Sequence, residues 1–153
     1  MNKLTIERTF DAPIEKVWEA WTNPALLAKW FAPAGMTNSL ATTEVKVGGL
    51  FHFCFREEKS GTEFYGRGIY QKIVPRTFLS YLDSHTDKDG KDVAPSHYGS
   101  AGDEIVESLV EITFADLGEQ TKMTVVMDNY YDENMTKEMV SGWNGMFDKL
   151  SEL

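Results

Sequence analysis

One cysteine, Cys54, occurs in the 153 residues. A lone thiol excludes an intramolecular disulfide and any Cys-x-x-Cys redox or zinc site. Positive charge is also scarce. Fifteen Lys and Arg stand against 24 Asp and Glu, a net charge of −9. That field repels phosphate backbones and no basic cluster offsets it, so no nucleic-acid partner is expected. Long apolar runs are missing too. No window approaches the roughly 20 apolar residues of a membrane helix, so no membrane insertion is expected. The opening residues, Met1 to Arg8, contain no apolar signal core, and the expected location is cytoplasmic. No repeat, low-complexity tract or linker divides the chain, which reads as one domain over 1–153. Gly-x-Ser-x-Gly and phosphate-loop motifs are absent. Gly48-Gly49 and Gly66-Arg67-Gly68 do not lead into helices, so they offer no phosphate cradle.

What the chain does hold is aromatic and thioether surface: four Trp, nine Phe, six Tyr and seven Met. Its arrangement sets the expected elements. Leu4, Ile6, Arg8 and Phe10 alternate with polar residues, a first strand over 3–10. Ile14, Val17, Trp18 and Trp21 form one helical stripe after Pro13. Leu26, Leu27, Trp30 and Phe31 form a second after Asn23-Pro24. Strands follow over 39–46, through Phe51, Phe53 and Phe55, over 63–74, 77–83, 105–115 and 121–130. Cys54 is expected on the Phe51–Phe55 strand as a small apolar residue, not a nucleophile. Residues 84–103 read as a polar, Gly-rich loop with almost no apolar anchor, mobile and able to gate a cavity mouth. Met135, Met139, Val140, Trp143, Met146, Phe147 and Leu150 make one stripe on a long final helix. Gly142 and Gly145 interrupt it, three residues apart. Each costs about 1 kcal/mol relative to alanine, so something must approach closely there, either a strand or a ligand.

An antiparallel sheet with one apolar face and one long amphipathic helix has a simple solution, in which the sheet curves around the helix. This α+β, helix-grip arrangement leaves room for an internal cavity, with the two short helices closing one end.

Particular residues carry a family resemblance. Arg8-Thr9-Phe10-Asp11-Ala12-Pro13-Ile14-Glu15-Lys16-Val17-Trp18-Glu19-Ala20-Trp21-Thr22 is similar to the opening of the family related to the activator of heat-shock protein 90 ATPase, within the START-like (SRPBCC) superfamily. Leu27-Ala28-Lys29-Trp30-Phe31-Ala32-Pro33, Val47-Gly48-Gly49, Gly68 to Pro75, Val110 to Phe114 and Gly142-Trp143 continue the likeness in register. The resemblance implies a helix-grip fold and a cavity that in superfamily members takes lipids, hormones or polyketides. It also brings two alternatives: a chaperone-regulating interaction module, and a cyclase- or hydrolase-type enzyme. It supplies no shared catalytic motif.

The expected ligand is a small hydrophobic molecule, aromatic or lipid-like, bound without covalent chemistry and without a cofactor. Its expected lining is Trp30, Phe53, Phe55, Tyr81, Val110, Met123, Val125, Met139, Gly142, Trp143 and Met146. Trp143 is its centre, and Trp30 and Trp143 stand on opposite walls. Arg67 and Tyr70 are candidate polar anchors, although the pattern leaves open which side of their strand each faces. His52 is expected on the solvent side of the Phe51–Phe55 row. His85, Asp87 and Asp89 resemble half a calcium loop, but the first position lacks Asp or Asn and the last lacks Glu. They read as an Asp-Gly turn, and no metal site is expected. No two carboxylates can be paired from sequence into an acid/base site.

Overall fold

A computed structural model describes residues 2–129 and 132–153. Strand β1 (Asn2–Phe10) leads into helices α1 (Ile14–Thr22) and α2 (Pro24–Trp30). Strands β2 (Met36–Thr43), β3 (Leu50–Glu57), β4 (Glu63–Val74) and β5 (Phe78–Thr86) follow. After a connection holding one short turn of 3-10 helix (Pro95–Tyr98) come β6 (Ser108–Asp116), β7 (Thr121–Asn129) and helix α3 (Glu133–Ser151). The strands form one open antiparallel sheet in the order β1-β7-β6-β5-β4-β3-β2. This is the helix-grip fold, with α3 on the concave face. Among the described residues no helix is long and apolar enough to cross a membrane.

Local chemistry explains the boundaries. Pro13 precedes α1 as its N-cap. Asn23 caps α2 by accepting the Ala25 N–H at 2.9 Å, with Pro24 in the first turn, where a missing N–H costs nothing. Asp132 caps α3 by accepting the Met135 N–H at 2.8 Å. Between β2 and β3, Gly48 has a φ of 81° and a Cβ on Gly49 would lie 2.0 Å from the Glu44 carbonyl oxygen. Only glycine fits that turn.

Three strands depart from the sequence reading by more than a residue. The second strand runs 36–43, not 39–46, because Glu44 to Gly49 fold into the turn. The strand expected to stop at residue 83 continues to Thr86, paired to Tyr65 on β4. The strand expected from residue 105 starts at Ser108, the first residue that pairs with β5. Tyr130, assigned from sequence to the last strand, lies outside the described residues.

The packed core fills one end of the fold. Trp21, Trp30, Leu27, Phe51, Tyr70, Leu79, Ile112, Met123, Val125 and Phe147 are almost wholly buried. Trp21 sits at its centre. Its indole N–H points to the Met123 sulfur at 3.1 Å, and its rings contact Trp30, Phe31 and Trp143.

Candidate functional site

The inner face of the sheet follows from pairing. Phe53 on β3 pairs with Gly66 on β4, which pairs with His85 on β5. Phe51 pairs with Gly68, which pairs with Asp83. Side chains of paired residues share a face, so Phe51, Phe53, Phe55, Tyr81, Asp83 and His85 all point toward α3. Gly66 and Gly68 let aromatic rings lie flat across β4. A Cβ on Gly66 would meet the Phe53 ring at 2.5 Å, and one on Gly68 the Tyr81 ring at 2.7 Å. Phe31, from the end of α2, packs on Phe51 and Phe53 at centroid distances of 5.0 and 5.2 Å.

Over this floor α3 is seated at one end only. Met146, Phe147 and Leu150 in its C-terminal half are buried. Lys149 donates to the carbonyls of Ala32, Pro33 and Met36 at 2.9–3.0 Å. Arg8 on β1 donates to the Asp148 carboxylate at 2.7 Å. In the N-terminal half Met135, Met139, Val140 and Trp143 are only partly buried. The gap beneath them is a pocket of about 290 Å³, lined by Phe31, Pro33, Phe53, Phe55, Tyr81, Asp83, Glu138, Met139, Gly142, Trp143 and Met146. Met139 also borders a wider hollow of about 740 Å³. His85, Val106, Asp132 and Met135 line that hollow together with Pro95 and residues 100–104.

The expected lining therefore divides. Phe53, Phe55, Tyr81, Met139, Gly142, Trp143 and Met146 come together around one pocket. Trp30 does not join them. It is fully buried, and its indole N–H donates to the Ala20 carbonyl at 2.7 Å, so it braces α1 against α2 and faces no wall of the pocket. Val110, Met123 and Val125 are inward-facing but sealed in the packed core. Tyr70 also lies in the core, stacked near Phe51, with its hydroxyl hydrogen-bonded to that of Thr43.

Arg67 is displaced furthest from its expected place. It pairs with His52 and Ser84, which lie on the other face of the sheet. There its guanidinium forks onto Asp92 at 2.9 and 3.0 Å, donates to Glu107 at 2.8 Å and reaches the Leu82 carbonyl at 2.9 Å. It is 5% exposed and fastens the β5–β6 connection to the convex face. Cys54 shares that face and is buried, and burial pushes its thiol up. His52 is on that face too, half-buried within 3.3 Å of the Thr86 hydroxyl rather than open to solvent.

The connection itself, expected to have almost no apolar anchor, has several. Pro95 is buried. Tyr98 packs near Phe64 and His85, and its hydroxyl donates to the Thr86 carbonyl. The Asp87–Gly90 turn forms as read, with the Asp87 carboxylate accepting the N–H groups of Asp89 and Lys91 at 2.9 and 3.0 Å. Among the described residues no three His, Cys, Asp or Glu side chains converge to hold a metal.

Two polar side chains on the inner face, Asp83 in the pocket and His85 in the adjoining hollow, escaped the sequence reading. Asp83 is partly buried among the aromatic rings, and its carboxylate accepts no hydrogen bond among the described residues. Burial pushes its carboxyl up to about 7, against the opposing pull of the Arg67 guanidinium beyond the sheet. Burial pushes the His85 imidazole down. The signal was parity: Asp83 and His85 continue the inward alternation of Leu79 and Tyr81.

Comparisons agree with this fold. The family described as activator of Hsp90 ATPase homolog 1-like protein matches residues 11–153. A Chromobacterium violaceum protein structure superposes with a TM-score of 0.81 at 24% identity, over 99% of this chain and 95% of that one. An Arthrobacter aurescens protein gives 0.80 at 24% identity, over 97% and 83%. The AHSA1 protein of Silicibacter pomeroyi gives 0.76 at 18% identity, over 99% and 96%. None of the curated proteins matches the sequence significantly.

Proposed function

The chain belongs to the activator of Hsp90 ATPase homolog 1-like family, and on that premise we propose that it binds a small hydrophobic molecule, aromatic or lipid-like, in the pocket between α3 and the sheet. The observation that carries the reading is the half-seated helix. Aromatic and methionine side chains that the core would ordinarily consume instead border about 290 Å³ of space. Mostly apolar walls with a few polar groups suit a small-molecule site. The affinity comes from burial of ligand area at roughly 25 cal/mol per Å², with hydrogen bonds fixing orientation.

The test uses the pure protein and a planar apolar fluorophore. Trp143 borders the pocket and stacks on Trp21 with centroids 6.4 Å apart, so occupancy changes tryptophan emission. One saturable probe per chain is expected, lost in Gly142→Leu, whose side chain fills the pocket. Absence of saturable binding across a varied panel of aromatic and lipid probes overturns the reading.

A cyclase- or hydrolase-type enzyme is the second reading, favoured by Asp83 and His85 on one strand face, bordering the two adjoining hollows. Turnover in a hydrolase panel, lost in both Asp83→Asn and His85→Gln, would replace the first reading with this one. A chaperone-regulating role rests on the family's description alone, and pull-down of a chaperone by the pure protein would support it.

A further inference from the structure

The walls are aromatic, and their charged groups have one sign. Asp83 lies on the floor and Glu138 on the helix above. Asp103, Glu104 and Asp132 border the adjoining hollow. Among the described residues neither lining contains a lysine or arginine, and His85 is the one basic side chain. A fatty acid or other organic anion would be repelled by such a lining and would find no cation to pair with.

The Asp83 carboxylate is the anomaly. Among the described residues it forms no hydrogen bond, and the one cation acting on it, Arg67, is held on the far side of the sheet by Asp92 and Glu107. An ionised carboxylate in an apolar site without a donor is costly, and a ligand that brings a positive N–H removes that cost. Tyr81 and Trp143 supply ring faces of the kind that attract an organic cation. We propose that the ligand is a hydrophobic amine, positively charged at neutral pH, whose ammonium group pairs with Asp83 while its apolar body lies against Trp143, Phe53 and Phe55. This rests on the ligand-binding reading and names the chemical class that the site selects.

Among the described residues the charged and titratable groups around Asp83 are few. Tyr81 and His85 flank it on β5, Glu138 lines the same pocket from α3, and Arg67 acts on it through the sheet from β4, while β6 presents the neutral Ser108. Its protonation therefore governs amine binding across the neutral range.

Three probes of one shape separate the outcomes: 2-naphthylmethylamine, 2-naphthylmethanol and 2-naphthylacetate, followed by tryptophan emission and calorimetry. At pH 8 the amine is expected to bind at least about 10-fold more tightly than the alcohol, the size of one charge-assisted hydrogen bond. The acetate is expected to bind most weakly. In Asp83→Asn the amine's advantage over the alcohol is expected to shrink to within about threefold. At pH 7 the wild-type protein should release roughly half a proton per amine bound, read from calorimetry in buffers of different ionisation enthalpy. Equal binding of amine and alcohol, an amine preference that survives Asp83→Asn, or tightest binding of the acetate overturns the amine assignment and leaves the hydrophobic-ligand reading standing. Failure of all three probes to bind overturns both.

Discussion

The two halves of α3 carry the same apolar stripe and put it to different uses. From Gly145 onward the helix is pressed into the fold. Met146, Phe147 and Leu150 are 0–5% exposed, Lys149 ties three carbonyls after α2, and a Cβ on Gly145 would lie 3.3 Å from the Ala34 amide nitrogen. Before Gly145 the stripe continues through Met135, Met139 and Trp143, but these are only partly buried and a Cβ on Gly142 would meet nothing within 4 Å. Amphipathic spacing reports which way a helix faces. It does not report how far the opposite surface stands from it, and that distance separates core from cavity.

The sharpest way to break the comparison is to truncate one side chain in each half. Phe147 is fully buried, with its ring edge-on to Phe10 at 6.2 Å and below the Arg8 guanidinium. Phe147→Ala is expected to cost about 3–5 kcal/mol by loss of transfer energy and creation of a cavity. Met139→Ala, at the edge of existing space, should cost about 1 kcal/mol or less. Urea unfolding of the two variants measures both, and equal losses would mean that the N-terminal half of α3 is packed as tightly as the rest.

A smaller effect concerns the floor beneath the open half. The Asp83 carboxyl has its pKa raised to about 7 in the folded chain and near 3.9 when unfolded. Between about pH 4 and 7 the folded state therefore holds more protons than the unfolded one, and stability falls as pH rises through that window. Asp83→Asn removes the penalty. Because the carboxyl is only partly buried, the variant is expected to exceed the parent by about 1–2 kcal/mol at pH 8 and to match it near pH 4. Thermal melts at the two pH values check this, and a gap of the same size at both would show that Asp83 is not the titrating group.

The fold was legible because its signals are local and redundant. Strand β4 is bounded as read, with Pro75 ending it, and three helical stripes mark three helices. The site was legible only where parity could be carried across strands. Alternation puts Phe53, Phe55 and Tyr81 on the inner face, where they lie, and the pattern alone leaves Arg67 open, although it sits an odd number of residues from the inward-facing Gly66, Gly68 and Tyr70. The bulge between Tyr70 and Lys72 comes after it and does not disturb that parity. Trp30, Val110, Met123 and Val125 show the opposite limit. Each faces inward as expected, and nothing in an inward-facing apolar residue distinguishes a filled interior from an empty one. In sequence Asp83 falls at the end of a strand and His85 at the start of a loop because they are polar. On a cavity floor the usual rule of apolar inside and polar outside lapses, since the inner face is where the ligand must be met.

The finest test of the comparison lies in the two glycines. Either one replaced by alanine gains about 1 kcal/mol of helix propensity from lowered backbone entropy in the unfolded chain. At Gly142 the added methyl meets open space, so the gain is kept and the melting temperature should rise by about 2–4 °C. At Gly145 the same methyl would sit 3.3 Å from the Ala34 nitrogen and 3.4 Å from its Cβ. That is tighter than ordinary van der Waals contact, and the segment it presses is the one Lys149 pins through its carbonyls. The backbone there cannot retreat without loosening those bonds, so the propensity gain is offset and the melting temperature should stay level or fall. A calorimetric scan of the two variants beside the parent decides it. Equal rises would mean that the approach of Ala34 to α3 costs nothing, and that the seated half of the helix is less tightly held than its buried side chains indicate.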